Sequence, residues 1–362
     1  MKKTDILVIH GTNPAEMAKE LITEAGLAAQ IGDKKKRIGL KPNLVLASPA
    51  EKGATTHPEI VAGIIEYLRE NGFEDIVVLE GAWVGAGTAD AFNTCGYTKL
   101  AAQYGVRLID LQKDETCTQN CAGIEIEMCT SALEVDFMIN LPVLKGHCQT
   151  LLTCALKNNK GVISNAEKRR FHAMGLHRPI AHLNVAAKND FILVDGICGD
   201  LDFEEGGNPI QSNMLFAARD PVLCDAFAAE LIGLAQGEVP YIGLAETLGV
   251  GSADLSAATV RQLNEGKNTG QAPKPTGKAR HLAAYIKEDS ACSACYASLL
   301  RALSQMENGE LRRLPGKICV GQGFTGKNGD LGVGRCTADF KKTVGGCPPT
   351  AGDILGFLQK RE

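Results

Sequence analysis

The chain has 362 residues, 44% hydrophobic and 5% aromatic, with a formal net charge of −4. That length holds one large domain with an appendage, or about two domains, and the apolar content supplies a sizeable core. The charge balance excludes a global field favouring nucleic acid or an anionic membrane, and no run of about 18 apolar residues marks a transmembrane helix.

Residues 5–10 (DILVIH) read as a strand and 14–28 as a helix. The basic start before that strand is followed by an apolar stretch too short for a signal-peptide core and interrupted by Asp5, so a cytoplasmic protein is expected. Residues 37–46 predict a second strand. Pro58 opens a helix to about Arg69, with Ile60, Ile64, Ile65 and Leu68 at helical spacing and Gly72 as its stop. Residues 75–81 (DIVVLEG) have the continuous apolar character of a strand in a buried parallel sheet. Residues 97–104 predict a helix and 106–111 a strand. Alternation of this kind is the signature of a doubly wound, mostly parallel α/β sheet.

Further on, 123–128 alternates as an antiparallel or edge strand and 136–144 reads as a buried strand. Segments 149–158 and 179–188 predict helices. Residues 190–196 (DFILVDG) form the clearest late strand, and a helix is expected from Pro221 to about Leu234. Composition shifts at 264–280, a stretch rich in Gly, Pro and Lys that reads as a linker. The expected organisation is an α/β core over 1–263, a linker over 264–280 and a cysteine-rich module over 281–362.

Five of thirteen cysteines fall in that module: Cys292, Cys295, Cys319, Cys336 and Cys347. The other eight read as small buried residues of a reducing compartment. "SACSACYASLL" (290–300) sets Cys292 and Cys295 at a helix start, and "GGCPPT" puts Cys347 before two prolines. A redox dithiol needs C-x-x-C directly after a strand, and "AAYIKEDSA" is a weak one. Zinc prefers two close cysteine pairs, whereas Cys336 and Cys347 are separated by ten residues. A [4Fe–4S] cluster tolerates irregular spacing and is served by amides that glycine lets approach closely, and residues 316–346 contain nine glycines. Spacing therefore favours an iron–sulfur cluster on Cys292, Cys295, Cys336 and Cys347 over zinc or a dithiol. Lys327, Arg335, Lys341 and Lys342 are expected to offset its charge, and Cys319, in the apolar run "KICVG", to be a buried small residue.

The densest polar segment is "LPVLKGHCQTLLTCALKNNKGVISNAEKRRFH" (141–172). Lys145 and His147 follow a strand end, where open α/β sheets bind ligands. Thr150, Thr153 and Lys157 are expected on the following helix. Lys168, Arg169, Arg170 and His172 form a basic run that either binds an anion or is a solvated loop. Asp195 ends the late strand as a candidate base or metal ligand. Glu204 and Glu205 read as an exposed acidic loop, and Thr56 or His57 as a helix N-cap. Lys41 joins Lys145 on the same sheet edge. The glycine-rich 81–87 matches no nucleotide fingerprint.

Taken together, "KPN", "HPE", "KGH…KNNKG", "LVDG…GNP" and "CSAC…GQGF…GRC…GCPPT" resemble the family called domain of unknown function 362, over about residues 36–235 plus the cysteine module. Members are described as candidate iron–sulfur proteins. Many relatives end in a standard ferredoxin segment, whereas this chain carries a longer, irregular pattern. The resemblance implies cluster binding and names no reaction. The reading that follows is a cytoplasmic [4Fe–4S] protein with a redox or electron-transfer role. It acts on an anionic small molecule bound by Lys41, Lys145, Lys157 and Arg170, with His147 or Asp195 carrying protons and a redox protein as partner. The alternatives are a metal-dependent isomerase, lyase or hydrolase with a structural C-terminal metal, and a zinc-stabilised binding protein.

Overall fold

The computed structural model describes residues 1–235, 237–264 and 270–359. Twelve strands belong to the first part of the chain: β1 (Asp5–His10), β2 (Ile38–Pro42), β3 (Ile76–Glu80), β4 (Arg107–Asp110), β5 (Thr116–Cys121), β6 (Ile124–Cys129), β7 (Phe137–Leu141), β8 (Lys145–His147), β9 (Leu151–Thr153), β10 (Phe191–Gly199), β11 (Ile210–Ala218) and β12 (Thr259–Gln262). Eight of them form one sheet in the order β12-β1-β11-β10-β7-β2-β3-β4. β11 runs antiparallel to both its neighbours, and the other pairings are parallel. The fold is mixed α/β with a mostly parallel sheet.

The strands of this sheet are buried on both faces because alternate side chains feed two cores. Leu7, Ile9, Ile76 and Val78 pack with helices Pro14–Glu24, Pro58–Glu70 and Tyr97–Tyr104 on one side. Ile6, Val8, Val77 and Leu79 pack on the other with helices His177–Ala186 and Pro221–Leu231. The helix from Pro58 ends as expected: Gly72 adopts a left-handed backbone, φ 78°, and Phe73 N–H returns to Leu68 C=O at 2.9 Å. The alternating 123–128 segment is not on the sheet edge. It pairs with β5 as a separate hairpin covering one core face.

Segment 149–158 departs from expectation. β8 and β9 form a short antiparallel hairpin, and helix begins only at Ala155. Leu151 sits at φ 64°, which no α-helix interior allows.

The C-terminal part adds β13 (Ile286–Glu288), β14 (Ile318–Val320), β15 (Leu331–Val333) and β16 (Lys342–Val344) as a parallel sheet of four short strands. Helix Ser293–Ser304 packs on it through Leu299, Leu300 and Leu303. Phe203, from the loop after β10, joins this core, so the two parts of the chain share apolar contacts. Of the expected linker, 265–269 lies outside the described residues. Gln271 N–H bonds Gln211 C=O at 2.7 Å, Thr276 N–H bonds Asp202 at 2.9 Å, and helix Lys278–Ala283 begins within the stretch.

Candidate functional site

A cleft of about 70 Å³ opens where the carboxyl ends of β2 and β3 meet the first turn of helix Ser293–Ser304. Its charged and polar lining comprises Asn43, Glu80, Thr153, Lys157, Asn158, Lys160, Lys168, His172, Glu204 and Ser293, and Cys292 closes it from the module side. The loop after β3 supplies Gly81, Trp83 and Val84. Ligand placement beyond strand ends is the general rule for such sheets.

The sequence-predicted residues divide by position. Lys157 lines the cleft, its ammonium 3.4 Å from Glu204 and 3.3 Å from Thr153. Lys41 lies just beneath, buried and paired with Glu80. Burial lowers the Lys41 pKa, and the Glu80 carboxylate opposes that shift. Lys145 is also buried, but its donors are taken by Asn43 Oδ1 (3.2 Å), Ala54 C=O (2.6 Å) and Glu204 C=O (3.0 Å). Burial lowers its pKa to about 7 against the pull of Glu204. Lys145 thus ties three loops together behind the cleft wall.

His147 is buried, and its Nδ1 accepts the backbone N–H groups of Gln149 and Thr150, each at 3.0 Å. The ring proton therefore sits on Nε2, which faces Glu204 and lies 3.3 Å from Ser293 Oγ. Burial takes the ring down to about 3, Glu204 opposing, so it is neutral. The ligand atoms of His147, Cys148 and Glu204 lie within 4.8 Å of one another. They fit a metal ion poorly. Binding through Nε2 would need an imidazolate, and Lys157 repels a cation.

Asp195 does not reach the cleft. It accepts the N–H and the Nδ1–H of His57, both at 2.8 Å. Burial alone would lower His57, but Asp195 holds it up at about 11, as a buried imidazolium. His57 stands at the N-cap of its helix, yet its side chain serves Asp195 and not the cap. Arg170 is likewise apart, pairing with Glu167 and Glu125 C=O on the outer face of helix Asn165–Ala173.

Several cleft residues escape the sequence reading. Glu204 is buried rather than an exposed loop acid, and Glu205 is half-buried. Their surroundings come from positions far along the chain, which no local pattern records. Lys168 and His172 are buried, whereas Arg170 faces outward and Arg169 is half-buried, its charge acting on Cys292 and Cys295. The i,i+4 spacing of Lys168 and His172, with Phe171 buried beside them, is the signal that separates the two pairs. Lys168 donates to Gly81 C=O (2.9 Å) and Ala82 C=O (2.8 Å). Asp200 and Asp202 hold turns through Phe203 N–H (2.9 Å) and Thr276 N–H (2.9 Å), a structural task.

Cys292 is the N-cap residue of helix Ser293–Ser304, Cys295 lies in its first turn, Cys336 in the 3₁₀ turn Arg335–Thr337, and Cys347 follows β16. All are free thiols. Burial raises Cys292, and Cys347 and Cys336 raise it further. Cys295 goes to about 12 through burial and then the other three. The fold thus gathers four thiols at a helix N-terminus, a donor set suited to a thiolate-bound metal group. Cys319 points elsewhere and senses Lys287 and Asp330; it is half-exposed, not buried. Lys327 and Lys341 are engaged with Asp289 and Asp330, and it is Arg169 and Lys160 that draw Cys292 down.

A model described as a domain of unknown function (DUF362) matches residues 38–230. The chain belongs to the DUF362 family. The DUF362 span supplies every cleft residue except Cys292, Ser293 and Ala294, which the cysteine-rich part adds. A thylakoid-associated protein of Synechocystis sp. is 25% identical over 225 residues, covering 59% of this chain and 68% of that protein. Among solved structures, similarity is found to the lactate racemase apoprotein from Thermoanaerobacterium thermosaccharolyticum, at 12% identity and TM-score 0.40 over 64% of this chain. A Thermotoga maritima protein follows at 15% identity and TM-score 0.35 over 51% of this chain. The chain spans only 57% and 51% of those two solved chains. No helix among the described residues is long and apolar enough to cross a membrane.

Proposed function

We propose that this DUF362 protein is a cytoplasmic iron–sulfur protein, with a [4Fe–4S] cluster on Cys292, Cys295, Cys336 and Cys347. Its redox role acts on an anionic small molecule bound in the adjoining cleft. The observation that carries the reading is the position of Cys292, which belongs to the four-thiol group and also lines the lysine-rich cleft.

Two considerations favour a cluster over one zinc ion. Tetrahedral zinc at about 2.3 Å from each thiolate would bring sulfurs to about 3.8 Å of one another. Among the described residues, the groups of three ligand atoms within 4.8 Å of one another include none of these four cysteines. A wider cage suits the larger group. The helix N-terminus, Arg169 and Lys160 also suit a centre of net negative charge.

When bound, the cluster supplies one-electron chemistry through the module. The chain's own residues do the rest. Lys160 and Lys157 attract the anion, and the Lys41–Glu80 pair and Lys145 fix the floor and wall. Neutral His147 presents its Nε2 proton to Glu204. Electrons enter from a redox partner protein.

Anaerobic purification with iron and sulfide assays and electron paramagnetic resonance tests this. About four irons and four sulfides per chain are expected, with a reducible signal lost in Cys336→Ala. A colourless protein holding one tight zinc and no sulfide would sink the proposal.

A further inference from the structure

Resting on that reading of the cleft as an anion site, we propose that its ligand is bifunctional. It is a small oxyanion bearing a hydrogen-bond donor, a hydroxyl or ammonium, on the atom next to the anionic group.

The argument comes from what each polar group in the cleft still lacks. Lys168 is satisfied by two carbonyls. Lys157 has Glu204 and Thr153. Lys160 has a long contact only, 3.4 Å to His172 Nε2. That nitrogen also accepts the Ser293 N–H at 3.4 Å, so the neutral ring carries its proton on Nδ1. His172 Nδ1 has no hydrogen-bond partner. The Lys160 ammonium and the buried His172 Nδ1–H, both of residues that line the cleft, therefore lack an acceptor.

Glu204 lacks the opposite kind of partner. One carboxylate oxygen holds His147 and Lys157, and the other, Oε1, has none. A buried carboxylate oxygen left unpaired is unfavourable. Acetate would satisfy Lys160 and His172 but set its own negative charge against Glu204. A ligand with an adjacent hydroxyl or ammonium turns that repulsion into a hydrogen bond. With about 70 Å³ of interior space, the cleft admits only a small molecule of this kind.

The test is calorimetric titration of the anaerobically purified full-length protein with acetate and glycolate, with iron and sulfide measured on the same samples. Acetate and glycolate differ only in the hydroxyl. Glycolate should bind at least tenfold more tightly than acetate. In Glu204→Gln the glycolate preference over acetate should fall below threefold while acetate binding holds or improves. Lys160→Met should weaken both carboxylates at least tenfold. If a thermal melt shows Glu204→Gln unfolded, the wild-type ratio and Lys160→Met still decide. Equal affinities for acetate and glycolate, no binding of either, or an unchanged Lys160→Met overturns the proposal. A glycolate preference in protein without iron or sulfide overturns the cluster reading and leaves this one standing.

Discussion

Asp195 shows what becomes of a strand-end carboxylate when a histidine meets it instead of a ligand. Its oxygens hold His57 and Ile197 N–H, and it is buried completely. Breaking a buried ion pair by removing one charge costs about 3 to 5 kcal/mol. Asp195→Asn is therefore expected to lower the unfolding free energy by about 3 kcal/mol in urea titrations, with little change in cleft affinity. The pH dependence follows in sign. His57 titrates near 11 in the folded protein against 6.5 for the free group. Its contribution is complete below pH 6.5 and lost as pH rises towards 11. The stability gap between wild type and Asp195→Asn should narrow across that window. Lys160 gives a functional counterpart. Burial and then Lys157 lower it to about 7, with Glu204 opposing. Only the ammonium form attracts an anion, so anion affinity should fall as pH is raised from 6 to 9. A calorimetric profile flat over that range would remove Lys160 from the binding role.

At the scale of elements, local pattern succeeds where the determinants are local. "PEIVAGIIEYLRENG" carries its proline start, apolar stripe and glycine stop within itself, and the helix runs Pro58–Glu70. The stretch "QTLLTCALKNN" sets Leu152 and Leu156 at helical spacing, yet its first half is the turn and second strand of a hairpin. The missing term is Asp225, whose carboxylate accepts Ala155 N–H at 2.7 Å and so starts the helix there. That partner is 70 residues away, and no local window includes it. The same limit hid Glu204, whereas the four cysteines could be grouped from residue type and spacing alone. The loop 81–87 makes an element-scale prediction. Gly85 has φ 102°, and a Cβ there would lie 2.2 Å from Pro348 Cδ. Gly85→Ala must part this loop from the turn holding Cys347. It should destabilise by about 1 to 3 kcal/mol and lower iron per chain. Gly316→Ala, with open space around it, should do neither.

At the scale of the molecule, the α/β core was readable as a series of strand–helix units, but its relation to the cysteine module was not. That relation rests on contacts such as Ser293 Oγ with His147 and with His172, spanning 146 and 121 residues. Ser293 lies between the first two cysteines, so what orders the thiols also completes the cleft. The two parts differ in what they bury. The core sheet has strands walled by helices on both faces, whereas the module's four strands have three residues each. A small sheet of this kind depends on a staple, and metal-binding energy is folding energy when the site forms only in the folded state. Stripping the proposed cluster with a chelator under anaerobic conditions should therefore act unevenly. Amide exchange is expected to speed at least tenfold in 286–344 while β2, β3 and β7 keep their protection. Anion affinity should fall along with it, because Ser293 and the His172 contact loosen together. Uniform protection in both parts after metal loss would mean that packing through Phe203 and the helix Ser293–Ser304 holds the module unaided.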